Sequence, residues 1–316
     1  MSRKILVALG GNAILKHGES GTAEEQLENV EKTCEFLVDI VREGNKIAIT
    51  HGNGPQVGDI LLKNELSKNT LPPMPLDVCG AESQGMLGYM LQQSMCNALK
   101  SAGFDICVAS IITQSLVDKN DPAFKNPTKP IGPFYTAMEA SQLRRERGWT
   151  IIDDSGRGFR RVVPSPNPVK IVESNAIKEL FDHDVIVIAS GGGGVPVMID
   201  DNGKIKGVEA VLDKDLSAAA FATLIEAEIL LILTDVEKVS LNYGKPDQKE
   251  LDRMTIKDAK KYLAEGHFPP GSMGPKIESA IRFVESGGEK TVITSIELAK
   301  DGLEGKAGTT IIRQDS

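Results

Sequence analysis

The chain is predicted to be an α/β protein built on a mainly parallel sheet. Two observations carry this. Apolar runs too short for helices, at positions 5–9, 47–50 and 185–189, each end in a glycine-rich turn, and helical stretches with apolar residues at i, i+3 and i+4 alternate with them. The turns are Gly10-Gly11-Asn12, Gly52-Asn53-Gly54-Pro55 and Gly191-Gly192-Gly193-Gly194. In an open α/β sheet the carboxyl ends of the strands converge on one crevice, so three such turns would form a single site rich in backbone N–H donors. Such a site suits an anion.

Taken in order, the first strand and its turn are followed by a helix that opens on Thr22 and Glu25, the spacing of a capping box, and stops at Gly44. The second strand leads through its turn into a helix bearing Val57, Ile60, Leu61 and Leu62. Pro72, Pro73 and Pro75 make a loop. A helix over 81–102 and a third strand over 106–113 complete a βαβααβ order, the pattern of a parallel sheet. Between about 115 and 170 prolines interrupt the alternation, with a short helix over 136–147 and the basic residues Arg157, Arg160 and Arg161. This excursion reads as an inserted lid or subdomain. Helices are expected over 174–181, 215–225, 255–264 and 275–285, with strands over 185–189, 229–235, 291–294 and 309–312. An edge strand is expected at 204–206 and a loop around Tyr243, Gly244 and Pro246.

A net charge of −8 argues against non-specific binding to nucleic acid or membrane, so any anion site must be locally basic. Apolar residues at 41% and charged residues at 25% are ordinary for a folded chain. No segment has the length to span a bilayer, and Met1 to Leu9 lacks the cleavage pattern of a signal peptide. Cys34, Cys79, Cys96 and Cys107 show no CxxC spacing or companion histidines, which argues against a zinc site or redox pair and fits reduced cytoplasmic thiols.

Lys214 and Lys276 stand at predicted helix starts, where a cation opposes the helix dipole unless an anion is bound. Both are expected to be exposed there. Lys129 lies in the excursion between Pro127 and Pro130, and Asp215 is either a site residue or an ordinary acid of a first helical turn. Tyr243 and Met273 either line an adenine slot or belong to the core. His51 either touches a ligand or packs at its strand end. No GxxxxGK[ST] motif and no nucleophile elbow exist, so P-loop and hydrolase-triad chemistry lack support.

Seven segments in fixed order carry a resemblance: Ala8 to Ala13, His51 to Gly58, Asn126 to Gly132, Gly191 to Pro196, Asp213-Lys214-Asp215, Leu233 to Val236 and Gly271 to Lys276. Through them the chain resembles the amino-acid kinase superfamily over nearly its whole length and, within it, the carbamate kinases. That resemblance implies a three-layer sandwich with a mainly parallel eight-stranded sheet, a homodimer, and Mg²⁺-dependent phosphoryl transfer between ATP and carbamate, run toward ATP in arginine catabolism. It implies a first lobe, residues 1–212, with a protruding subdomain at about 115–170. This lobe would hold carbamate or carbamoyl phosphate on Gly10, Gly11, Asn12, Gly52, Asn53, Gly54, Gly191, Gly192 and Gly193. A second lobe, 213–316, would hold the nucleotide near Thr234, Asp235, Val236, Tyr243, Met273 and Gly274. Lys214 and Lys276 would contact the transferring group, Asp215 would orient them, and Lys129 would reach in from the protrusion. Ala8 stands where most relatives that phosphorylate carboxylates carry lysine, which weighs against acylglutamate and glutamate kinases. Another acyl-phosphate-forming kinase, or a catalytically silent nucleotide binder of the same fold, is the alternative.

Overall fold

In the computed structural model, which describes residues 2–154 and 156–314, strand β1 (Lys4–Leu9) is apolar on both faces and has a core on each. Leu6 and Ala8 pack with Phe181, Phe221 and Phe283 on one side; Ile5, Val7 and Leu9 pack with Cys34, Leu37 and Leu87 on the other. A strand covered on both faces cannot alternate apolar with polar residues, which is why it reads as an unbroken run.

The capping box of Thr22 and Glu25 opens α1 (Ala23–Arg42) as expected, followed by β2 (Lys46–His51) and α2 (Gly54–Ser67). Helix α3 (Leu76–Ser101) starts five residues before the predicted 81, because the extended Pro75 caps it and Gly80 is tolerated inside it. β3 (Val108–Ser110) is shorter than the predicted 106–113. Beyond it Thr113 leaves the sheet and exchanges two hydrogen bonds with the Gln84 side chain, at 2.9 and 3.1 Å.

The excursion holds more strand than its sequence suggests. β4 (Gln114–Val117), β5 (Lys129–Tyr135), α4 (Ala137–Arg147), β6 (Ile151–Asp153), β7 (Phe159–Val163) and β8 (Pro168–Ile171) lead to α5 (Ser174–Asp182) and β9 (Ile186–Ile188). Only α4 was legible, since the strands are short and half-exposed. After β10 (Val195–Ile199) and β11 (Ile205–Gly207), the latter an edge strand as predicted, come α6 (Lys214–Leu224) and β12 (Ile229–Thr234). The predicted loop around Tyr243 is the tip of a hairpin of β13 (Val239–Leu241) and β14 (Lys249–Leu251). β15 (Arg253–Thr255), α7 (Ile256–Ala264), α8 (Met273–Glu285), β16 (Lys290–Ser295), α9 (Ala299–Leu303) and β17 (Thr309–Ile312) end the chain.

The main sheet has eight strands in the order β15-β17-β16-β12-β1-β2-β9-β3, parallel from β16 to β3. Residues before 213 supply one half, residues after it the other, and the β1–β12 pairing joins them. A four-stranded sheet, β11-β10-β4-β8, anchors both ends of the excursion. The excursion's outer part is the sheet β5-β7-β6 with α4, packed around Ala140, Leu143 and Ile151. The lid or subdomain expected over about 115–170 corresponds to this outer part.

Candidate active site

The three glycine turns meet at the carboxyl ends of β1, β2 and β9. One of the lining glycines, Gly192, is dictated by space and backbone. Gly192 has φ +62° and a side chain there would fall 2.2 Å from Asn53, whose Nδ2 donates to Ser83 Oγ at 2.7 Å. At Gly52 a Cβ would make only ordinary contacts, 3.5 Å from the Lys214 stem and 3.6 Å from the backbone N of Gly11, so space alone does not require glycine there. Together with Gly54, Gly11, Gly52, Asn53 and Gly192 line a cavity of about 300 Å³ that also meets Lys129, Lys214, Asp215 and Lys276. Of the predicted substrate residues, Gly10, Asn12, Gly191 and Gly193 do not line it. Asn12 is exposed, while Gly191 and Gly193 are buried beneath the turn.

The charges are arranged differently from expectation. Lys214 and Lys276 were expected at exposed helix starts, yet their side chains are only 14% and 12% exposed. Both ammonium groups close on Asp215, Lys214 Nζ at 2.6 Å from Oδ1 and Lys276 Nζ at 3.2 Å from Oδ2. Burial pushes the Asp215 carboxyl up, but the two lysines outweigh it and hold the group below the usual carboxylate range. Burial lowers the Lys214 ammonium, with Lys276 adding to the effect against the pull of Asp215. The helix-dipole argument also needs correction, because α6 brings its own anions. Asp213 is the N-cap and accepts from Asp215 N at 3.0 Å, and Asp215 lies in the first turn. The second oxygen of Asp213 receives Lys129 Nζ from the lid at 3.1 Å. Asp213 is the residue the sequence reading missed as a partner, although an acid just before an apolar helical run is a cap signal. Three ammonium groups against two carboxylates leave the cavity net positive, which suits an anion.

A second cavity of about 170 Å³ is lined by Thr234, Asp235, Val236, Tyr243 and Met273, with Lys238 and Phe268 unforeseen. Tyr243 is 63% exposed at its mouth, whereas Met273 packs partly on the core. Gly274 does not line it; its N–H donates to Pro269 O at 2.9 Å, which tightens the turn before α8. Ser272 and Lys276 line both cavities, so Lys276 stands at their junction.

His51 is buried, its Nδ1–H donating to Gly52 O at 2.9 Å and its ring packed against Gly191, where a Cβ would lie 2.5 Å from Nε2. It packs rather than lining the cavity. Burial, reinforced by nearby Lys214, pushes its pKa down to about 4. Between that value and the unfolded 6.5 the unfolded chain binds the extra proton, so the stability due to neutral His51 is whole above pH 6.5 and lost as pH falls toward 4. Urea unfolding should show about 2 kcal/mol of this loss by pH 5, and His51→Asn should flatten that part of the pH profile. An unchanged profile in the variant would contradict the assignment.

The amino acid kinase family model matches residues 3–295. A carbamate kinase from Thermococcus kodakarensis is 53% identical over 99% of this chain and 100% of its own length. The chain belongs to the carbamate kinases of the amino acid kinase family. Another carbamate kinase, from Pyrococcus furiosus, is 51% identical over 99% of the chain and 100% of its own length. The solved carbamate kinase from Giardia lamblia bound to AMP-PNP superposes with a TM-score of 0.93 at 44% identity, covering 98% of both chains. Family membership agrees with the seven segments and with the eight-stranded sheet.

Proposed function

We propose that the chain transfers a phosphoryl group reversibly between ATP and carbamate, with carbamate or carbamoyl phosphate in the larger cavity and the nucleotide in the smaller. One observation carries the assignment of roles: Lys276 lines both cavities and shares Asp215 with Lys214. In the forward step a carbamate oxygen, already anionic at neutral pH, forms a bond to the γ-phosphorus as the bond to the ADP oxygen breaks. No proton has to move, so no general base is needed. Phosphoryl transfer asks the protein to align two anions and neutralise the moving group. Lys214 and Lys276 would do this, Asp215 would fix their ammonium groups, and Lys129 would add charge from the lid. The N–H groups of Gly11, Asn53 and Gly54 would hold the acceptor, while the Gly52 N–H is spent on Leu9 O at 3.0 Å. The first lobe, 1–212, would thus bind the acceptor and the second, 213–316, the nucleotide.

Mg²⁺ belongs to the proposal as a companion of the nucleotide, where it would neutralise phosphate charge. Among the described residues no group of three or more His, Cys, Asp or Glu could cage a metal. Asp213 and Asp215 are already engaged by lysines, which leaves the exposed Asp235 as a candidate second-lobe carboxylate, and Mg²⁺ bound mainly through phosphates and water needs no more than that. A homodimer is also proposed, on the exposed apolar residues Val78 and Tyr89 of α3 and Ile112 beside the edge strand β3. Light scattering at the mass of one chain would refute it. No described helix is long and apolar enough to cross a membrane. With four free cysteines, two of them exposed, a reducing cytoplasm and a role in arginine catabolism fit this reading.

The test is direct. Purified protein given Mg-ADP and carbamoyl phosphate should form ATP in a coupled assay, and absence of ATP would overturn the assignment.

A further inference from the structure

The segment 209–213, which leads into α6 and its Lys214–Asp215 pair, is bound to the lid at every second residue. Glu209 receives Arg161 Nη2 at 2.8 Å, Val211 N–H donates to Pro164 O at 3.1 Å, and Asp213 receives Lys129 Nζ at 3.1 Å. The residues between face the other way: Ala210 is buried, and Leu212 lies against Gly193, whose Cβ would stand 2.7 Å from it. This is the period of an extended chain. The lid offers a matching face. In the β5–β7 register Lys129 stands opposite Val163 and Ile131 opposite Arg161, and Ile131, Val163 and Val211 pack in one cluster. Two lid cations therefore meet two body carboxylates, with an apolar contact between.

We propose that Arg161 and Glu209 are a positioning pair that seats the lid so that Lys129 reaches the acceptor cavity. The inference rests on the phosphoryl-transfer reading above. Neither residue lines either proposed substrate cavity, so the pair acts only through the segment 209–213 and through Lys129. The Arg161 side chain is buried and its guanidinium stacks 4.3 Å from the ring centre of Trp149, while Glu209 is 58% exposed. Glu209 can thus be changed without opening the core, and Trp149, the one tryptophan of the chain, reports the seating of Arg161 by its emission.

Glu209→Ala should raise the KM for carbamoyl phosphate about fivefold, the factor matching a half-exposed pair. The KM for ADP should stay as it is, and the Trp149 emission should shift. Glu209→Gln, which keeps an acceptor for Arg161, should recover part of both effects. A KM for carbamoyl phosphate within twofold of the unmodified protein, or an equal rise in both KM values, overturns the pair's role. If the unmodified protein itself forms no ATP, the functional reading fails on its own account. The clamp is then decided by emission alone, and identical spectra for Glu209→Ala and the unmodified protein refute it.

Discussion

Asp215→Asn is expected to remove activity and much of the stability together. The carboxylate is the ion-pair partner shared by two ammonium groups that are themselves nearly buried. Its backbone carbonyl is further tied to Ser279 Oγ of α8 at 2.5 Å, so the side chain sits where α6 and α8 meet. An amide of the same size fills the space and leaves the helix start intact, yet provides no charge. Breaking a buried pair by removing one partner costs about 3–5 kcal/mol, because the other charge stays desolvated. Urea unfolding should show a loss of that order, and turnover should fall at least about a hundredfold with the lysines displaced. A variant as stable as the unmodified protein would contradict the charge arrangement described for the site.

Lys276→Met is expected to separate the two effects. With Lys276 gone, Asp215 still pairs with Lys214 at 2.6 Å, so one negative and one positive group remain and the buried charge is balanced. Methionine replaces most of the apolar stem. Stability should therefore change by less than about 1 kcal/mol, while kcat falls about a hundredfold to a thousandfold, the range for removing one preorganised charge from a transition state. Combined with Asp215→Asn, Lys276→Met should recover part of the lost stability, since one fewer ammonium is then left uncompensated. Equal losses of unfolding free energy and turnover in Lys276→Met alone would argue for a purely structural lysine.

The main sheet was legible because burial on both faces leaves a local trace. Residues 5–9, 47–49 and 229–233 are apolar throughout, and the turns after β1 and β9 carry glycines for reasons of space, since a Cβ at Gly10 would stand 2.9 Å from Leu233 O and one at Gly192 2.2 Å from Asn53. The lid was not. Its strands are short and half-exposed, and the β5–β7 ladder shifts register between Ile131 and Tyr135, so no period of two survives in the sequence. Single site residues could be picked out by their motifs, but their partnerships could not. Lys129 and Asp213 meet across 84 positions, and Lys276 and Asp215 across 61, distances over which local pattern says nothing. The same blindness made Lys214 and Lys276 look exposed, since a helix start is exposed only when nothing packs on it.

The seam between the two halves of the sheet also acts as a ruler. β1 and β12 run side by side with Leu9 opposite Leu233, and the next rung is Gly10 N–H donating to Leu233 O at 2.9 Å. The turn proposed to hold the acceptor and the Thr234-Asp235 turn proposed for the nucleotide are thus one interstrand spacing apart, about 4.8 Å, by hydrogen bonding alone. That interval cannot be widened without unzipping the middle of the core. A chain of this fold that adopts a bulkier acceptor must therefore make room in the glycine turns or the lid, and the reach from donor to acceptor is inherited unchanged.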